Sequence, residues 1–151
     1  MCLVVRDRPQ GWSVELMRFH DPNVVRCEVL NVTDRKRKPV IGAYLPPSTL
    51  EHLPDLEESL TSFREHYPIV LGDISANFFQ SHNPRSHQVA DLLMKFRMID
   101  LFLHLRQRWW FRKTKTWYWV RQGRGMQKRS DHIMGTDRQR FKMVRISFIR
   151  N

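Results

Sequence analysis

The chain has 151 residues, 41% of them hydrophobic and 27% charged, enough for one buried core and unlike a disordered segment. Lys and Arg number 26 against 15 Asp and Glu, a formal +11 at pH 7, which points to polyanionic partners, nucleic acid first and acidic membrane surface second. No apolar run approaches the roughly 18 residues that cross a bilayer, the short apolar run after Met1 has no charged leader, and Cys2 and Cys27 are too few for a disulfide framework or a zinc site.

Residues 24–32 are β-rich and partly alternating, residues 33–38 form a polar basic turn, and residues 39–45 form a second apolar run. Together they predict a hairpin or two neighbouring strands, ended by Pro46 and Pro47 because proline cannot donate to a ladder. Pro54 opens a helix, with Asp55, Glu57 and Glu58 near the positive end of its dipole and Leu56, Leu60 and Phe63 on one face. His66-Tyr67-Pro68 stops it. Residues 77–85 read as a loop. Ser86 is the expected N-cap of a second helix running to about Arg97, with Val89, Leu92, Leu93 and Phe96 as its apolar face. Residues 98–102 are a short apolar segment, and residues 116–120 and 133–134 read as late strands. The order of strands and helices predicts a mixed α/β domain.

Between these last helical and strand segments lies a stretch with no acid at all, from Asp100 to Asp131. It carries Arg106, Arg108, Arg112, Lys113, Lys115, Arg121, Arg124, Lys128 and Arg129, interleaved with Trp109, Trp110, Phe111, Trp117, Tyr118 and Trp119. Cations neutralise phosphates and release counterions, while aromatic faces stack on unpaired bases. Trp117 and Trp119 share one strand face and read as core. Trp109 to Phe111 suit core or surface equally.

The segment Pro68-Ile69-Val70-Leu71-Gly72-Asp73-Ile74-Ser75-Ala76-Asn77 is a buried strand that runs into a turn and presents a carboxylate at its C-terminal end. In open α/β sheets ligands and catalytic groups collect on that edge. Asp73 reads either as a turn-capping residue or as a functional carboxylate, and spacing leaves both open.

Four segments in order carry a resemblance. Gly42-Ala43-Tyr44-Leu45-Pro46-Pro47-Ser48 resembles the tyrosine-proline motif of the endonuclease/exonuclease/phosphatase superfamily, and Gly72 to Asn77 resembles its Gly-Asp-x-Asn-Ala motif. Thr116-Trp117 resembles its Thr-Trp strand, and Ser130-Asp131-His132-Ile133-Met134 its Ile-Asp-Tyr-Ile strand. Residues 83–93 are most similar to the apurinic-type endonuclease domain of non-LTR retrotransposons. The resemblance implies a DNase I-like fold, a two-sheet β-sandwich flanked by helices, and Mg²⁺- or Mn²⁺-assisted hydrolysis of a phosphodiester, with DNA as partner and no membrane. It implies Tyr44 as a phosphate-contacting phenol, Asp73 as a metal-binding carboxylate that orients water or assists the leaving group, and Asp131 as the orienter of a histidine. Ser75, Asn77, Arg112, Lys115, Trp117 and Arg121 are the substrate-side candidates.

Departures from the family pattern set the expected activity. The family's asparagine is Ser75, shorter and without an NH₂ donor pair. His132 stands where the family has tyrosine, and as the strand neighbour of Asp131 it should face the other way. Glu15 and Glu28 lie outside the expected Gln-Glu context, and because Ser130-Asp131-His132 is matched to the Ile-Asp-Tyr-Ile strand, the chain is expected to stop at Asn151 short of the family's closing Ser-Asp-His motif. The expectation is one partial domain over residues 1–151 with weak or no nuclease activity, open edges that invite a completing partner or aggregation, and an intracellular, nuclear location. The alternative is a non-enzymatic, basic nucleic-acid-binding remnant.

Overall fold

The computed structural model describes residues 11–31, 33, 35–76, 83–101, 117–121, 124–128 and 131–136, with the backbone course alone for residues 12, 15–20, 117–121, 124–128 and 131. Strand β1 (Trp12–Asp21) turns at Pro22 and Asn23 into β2 (Val24–Asn31), and the two pair antiparallel. The turn is held by Asp21 Oδ1, which accepts the Asn23 N–H at 2.6 Å, a local bond that aspartate makes readily. Nothing in the sequence reading anticipated β1.

Strand β3 (Arg37–Ala43) returns antiparallel along β2. It takes in Arg37 and Lys38, which the sequence assigned to the turn. Pairing to the next strand starts only at Val40, so Pro39 sits where that side of β3 is still an open edge and its missing N–H breaks no bond there. Helix α1 (Leu53–Ser62) and a 3-10 turn (Arg64–His66) then carry the chain back to β4 (Ile69–Asp73), parallel to β3. A parallel pair needs such a crossover.

Helix α2 (Pro84–Lys95) starts three residues sooner than Ser86 would set it. Its N-cap is Asn83, whose side chain accepts the Arg85 N–H at 3.0 Å, and Pro84 follows at the first helical position. A proline there is preorganised for a helix start, and that outweighs Ser86, which is buried within the first turn. Short strand β5 (Met98–Asp100) follows, then β6 (Trp117–Arg121), β7 (Arg124–Lys128) and β8 (Asp131–Thr136). β7 was not anticipated.

Six strands form one mixed sheet in the order β1-β2-β3-β4-β8-β5, and β6 and β7 form a separate antiparallel ladder. The core lies where α1 and α2 cover the larger sheet. Leu56 and Leu60 from α1 and Val89, Leu92 and Leu93 from α2 join Val24, Ile41, Val70 and Met134 in one buried cluster, with Phe63 and Phe96 packed on its margin. These are the faces that the helical spacing predicted. Arg26 crosses from β2 to α1, where Nε donates to Ser59 Oγ at 2.6 Å and a terminal nitrogen to Glu58 Oε1 at 3.1 Å. Cys27 is a buried strand residue.

Candidate functional site

Because β3 and β4 run parallel, they end on the same edge of the sheet, and β8, antiparallel to β4, begins there. That topology gathers three of the four motifs. Tyr44 directly follows β3, Asp73 is the last residue of β4, and Asp131, the first of β8, stands opposite Asp73 in register. The loops are tied by backbone bonds: the Tyr44 N–H donates to Asn23 O and the Leu45 N–H to Asp73 O, each at 2.8 Å. Tyr44 is 39% exposed, which leaves it accessible to a ligand.

Asp73 makes the turn that one reading of the sequence expected. Its Oδ1 accepts both the Ser75 N–H at 2.9 Å and the Ser75 hydroxyl at 2.7 Å. Ser75 reaches that position by adopting a left-handed backbone, φ 44°, a conformation that costs a non-glycine residue energy. Gly72, one residue before Asp73, has φ 142°, open to glycine and rarely to other residues. The loop is therefore built by a glycine and a strained serine, and the serine hydroxyl is turned back on the carboxylate.

Sequence reasoning missed Arg85. From the first turn of α2 its guanidinium donates to Ser75 O and Leu45 O, each at 2.9 Å, to Thr49 O at 3.2 Å and to Ile74 O at 3.4 Å. One fork thus clamps the loop after β3 to the loop after β4. Burial pushes its pKa down, and the Asp73 carboxylate acts the other way. Its only sequence signal is an arginine after Asn83-Pro84.

His132 does not join this edge through its ring. Nδ1 lies 2.8 Å from Asp100 Oδ2, and both side chains are nearly closed to solvent, at 4% and 6% exposure. Beside the edge, Asp21, His52 and Asp55 could together hold a metal ion, with one ligand atom from each within 4.8 Å of the others. An imidazole with two carboxylates suits Mn²⁺ or Zn²⁺ better than Mg²⁺. Both ring nitrogens are already engaged: Nδ1 lies 3.1 Å from Asp21 Oδ2, and Nε2 lies 2.8 Å from Asn23 Nδ2 and 3.1 Å from Glu51 Oε1. The cluster binds the β1–β2 turn to the start of α1 whether or not a cation enters it.

No protein-family model matches the chain, and no curated protein matches it. Solved structures do. The endonuclease domain of TRAS1, a telomere-specific non-LTR retrotransposon, superposes with a TM-score of 0.62 at 16% identity, over 85% of this chain and 57% of that one. The fold is DNase I-like. TDP2 from D. rerio, complexed with single strand DNA product, superposes with a TM-score of 0.53 at 14% identity, over 82% of this chain and 52% of its own. The chain thus spans just over half the length of these two structures. Within the DNase I-like fold, the six-stranded sheet carries Tyr44, Asp73, Ser75 and Asp131 on one edge, whereas Trp117 and Arg121 lie on β6 in the separate ladder. Asn77, Arg112 and Lys115, like Trp109 to Phe111, lie outside the described residues.

Proposed function

We propose that this chain is a nuclease-type domain of non-LTR retrotransposon descent whose substrate class is DNA, with slow, metal-assisted phosphodiester hydrolysis at the edge of β3, β4 and β8. The observation that carries the reading is the register of Asp73 against Asp131 beside the exposed Tyr44. The DNase I-like fold supports it, since its solved neighbours include an endonuclease domain and a protein in complex with a single strand DNA product. Tyr44 contacts a non-bridging phosphate oxygen. Asp73 orients the attacking water or assists the leaving group, and it is the residue that would hold Mg²⁺ or Mn²⁺. The bound cation would spread the charge developing on the phosphate. Arg112, Lys115, Trp117 and Arg121 supply contacts to the strand.

Turnover is slow because the carboxylate is partly spent. Asp73 Oδ1 already accepts two bonds from Ser75, and Ser75 offers no carboxamide NH₂ to a phosphate. That observation also favours a second reading, a DNA-binding domain without hydrolysis, held by the +11 net charge.

A plasmid-nicking assay with Mg²⁺ or Mn²⁺, run beside Asp73→Ala and beside EDTA, separates the two. Metal-dependent nicking that disappears in the variant establishes the hydrolytic edge. Absence of nicking, with salt-sensitive DNA binding retained, establishes the binding domain. Absence of both overturns the proposal.

A further inference from the structure

The edge opposite Asp73 holds a second concave site. Tyr67 lies just ahead of β4, Arg97 just ahead of β5, and Thr136 closes β8, opposite Met98 of β5 in register. With Arg64 and Glu65 from the 3-10 turn and Lys95 and Phe96 from the end of α2, they line a cavity of about 260 Å³. The five residues of β4 separate it from Asp73, about 17 Å along an extended strand.

Its chemistry is that of a receptor for an anion with a flat ring. Arg64, Lys95 and Arg97 face one acid, Glu65. Lys95 also pairs with Glu57 outside the cavity and lies 5.8 Å over the Phe96 ring. Arg64 and Arg97 both line the cavity, and their planar forks match a phosphate. Tyr67 and Phe96 supply aromatic faces, and Tyr67 is 37% exposed. The backbones of both Tyr67 (φ 52°) and Arg97 (φ 54°) are left-handed. Each stands at the end of a helical segment, where a left-handed residue commonly stops the helix, and so both are fixed in place at the cavity rim.

The decisive group is Thr136. It is only 6% exposed, and among the described residues its Oγ1 has no hydrogen-bond partner. A buried hydroxyl left unsatisfied is destabilising, and native structures keep few of them without a reason. Thr136 lines the cavity, and a turn about its Cα–Cβ bond exchanges hydroxyl and methyl, so an acceptor in the cavity would satisfy it.

We propose that this cavity binds a nucleoside monophosphate unit, as the free nucleotide or as one nucleotide of a single strand. Arg64 and Arg97 take the phosphate, Tyr67 and Phe96 take the base, and Thr136 donates to an oxygen of the ligand. The volume lies just below the roughly 300–1,000 Å³ of drug-sized ligand sites, which suits one nucleotide and excludes a duplex. The inference is independent of hydrolysis at the other edge.

The test is calorimetric titration of the full chain with AMP, with inorganic phosphate and with a short oligothymidylate, in metal-free buffer at moderate salt. AMP is expected to bind saturably and more tightly than phosphate. Arg64→Glu should weaken it by roughly tenfold or more, since it removes a charge-assisted hydrogen bond and sets a like charge against the phosphate. Thr136→Val should weaken AMP binding while raising the melting midpoint of the unliganded chain, a pair of effects that a purely structural threonine would not give. An oligothymidylate affinity that falls with Arg64→Glu assigns the site to a strand as well as to the free nucleotide. No saturable AMP binding, binding equal to that of phosphate, or binding untouched by both variants overturns the proposal.

Discussion

Ser75 concentrates the energetics of the candidate site in one residue. Its left-handed backbone places both its N–H and its hydroxyl on Asp73 Oδ1. Asparagine tolerates that backbone better than serine does. Ser75→Asn is expected to raise stability by about 0.5 kcal/mol, read as a shift in the urea midpoint, and to increase any metal-dependent nicking because a carboxamide NH₂ then faces the phosphate. A lower midpoint would show that the serine hydroxyl matters more than the strain. Arg85 is the second residue on which the edge depends. Its four acceptors are carbonyl oxygens of two loops, and a lysine ammonium cannot span them. Arg85→Lys should cost about 2 kcal/mol, since part-buried carbonyls lose charge-assisted bonds, and amide exchange should speed up first in residues 44–49 and 73–76. Uniform destabilisation without that local signature would remove the clamp.

At the scale of elements, helix spacing was legible and helix starts were not. The faces Leu56–Leu60 and Val89–Leu92–Leu93 follow from the 3.6-residue period alone. The start of α2 came down to a contest between two capping residues, won by Asn83 because Pro84 follows it. Asn83→Ala should therefore cost about 1 kcal/mol of stability, measured by denaturant unfolding, while Ser86→Ala should leave the helix start where it is. Strands β8 and β5 are joined by a pair that no periodicity reveals. Asp100 sits in an apolar segment, and its partner His132 lies 32 residues on, 2.8 Å away and buried. His132→Ala should destabilise by about 3 kcal/mol, because it breaks a buried pair and leaves a cavity between β8 and β5. A change below half that figure would show the pair to be dispensable.

At the scale of the whole molecule, the sheet order decides function. Motifs that are far apart in the chain meet because β3 and β4 are parallel and β8 returns between β4 and β5. The same order creates an opposite edge, where the loops before β4 and β5 and the end of β8 enclose the second cavity. One sheet therefore presents two ends of different chemistry. The Asp73 carboxylate and the Tyr44 phenol lie at the end proposed for hydrolysis, where Asp131 opens β8, and arginines, aromatic rings and a buried hydroxyl at the end proposed for nucleotide binding.

The sequence by itself determined the mixed α/β class, the apolar faces of both helices, the strand into Gly72-Asp73 and the strong positive charge. Each of these is written in local periodicity, turn chemistry or composition, and the motif order was enough to imply a DNase I-like fold. It did not reveal β1 or β7, the Arg85 clamp, the His132–Asp100 pair or the cavity at Thr136. Local patterning left β1 and β7 unmarked, and the other contacts join residues 10 to 40 positions apart or lining residues from three separate stretches of the chain. Such partners become neighbours only once strand pairing has been fixed, and strand pairing is a property of the folded sheet rather than of any local stretch of chain.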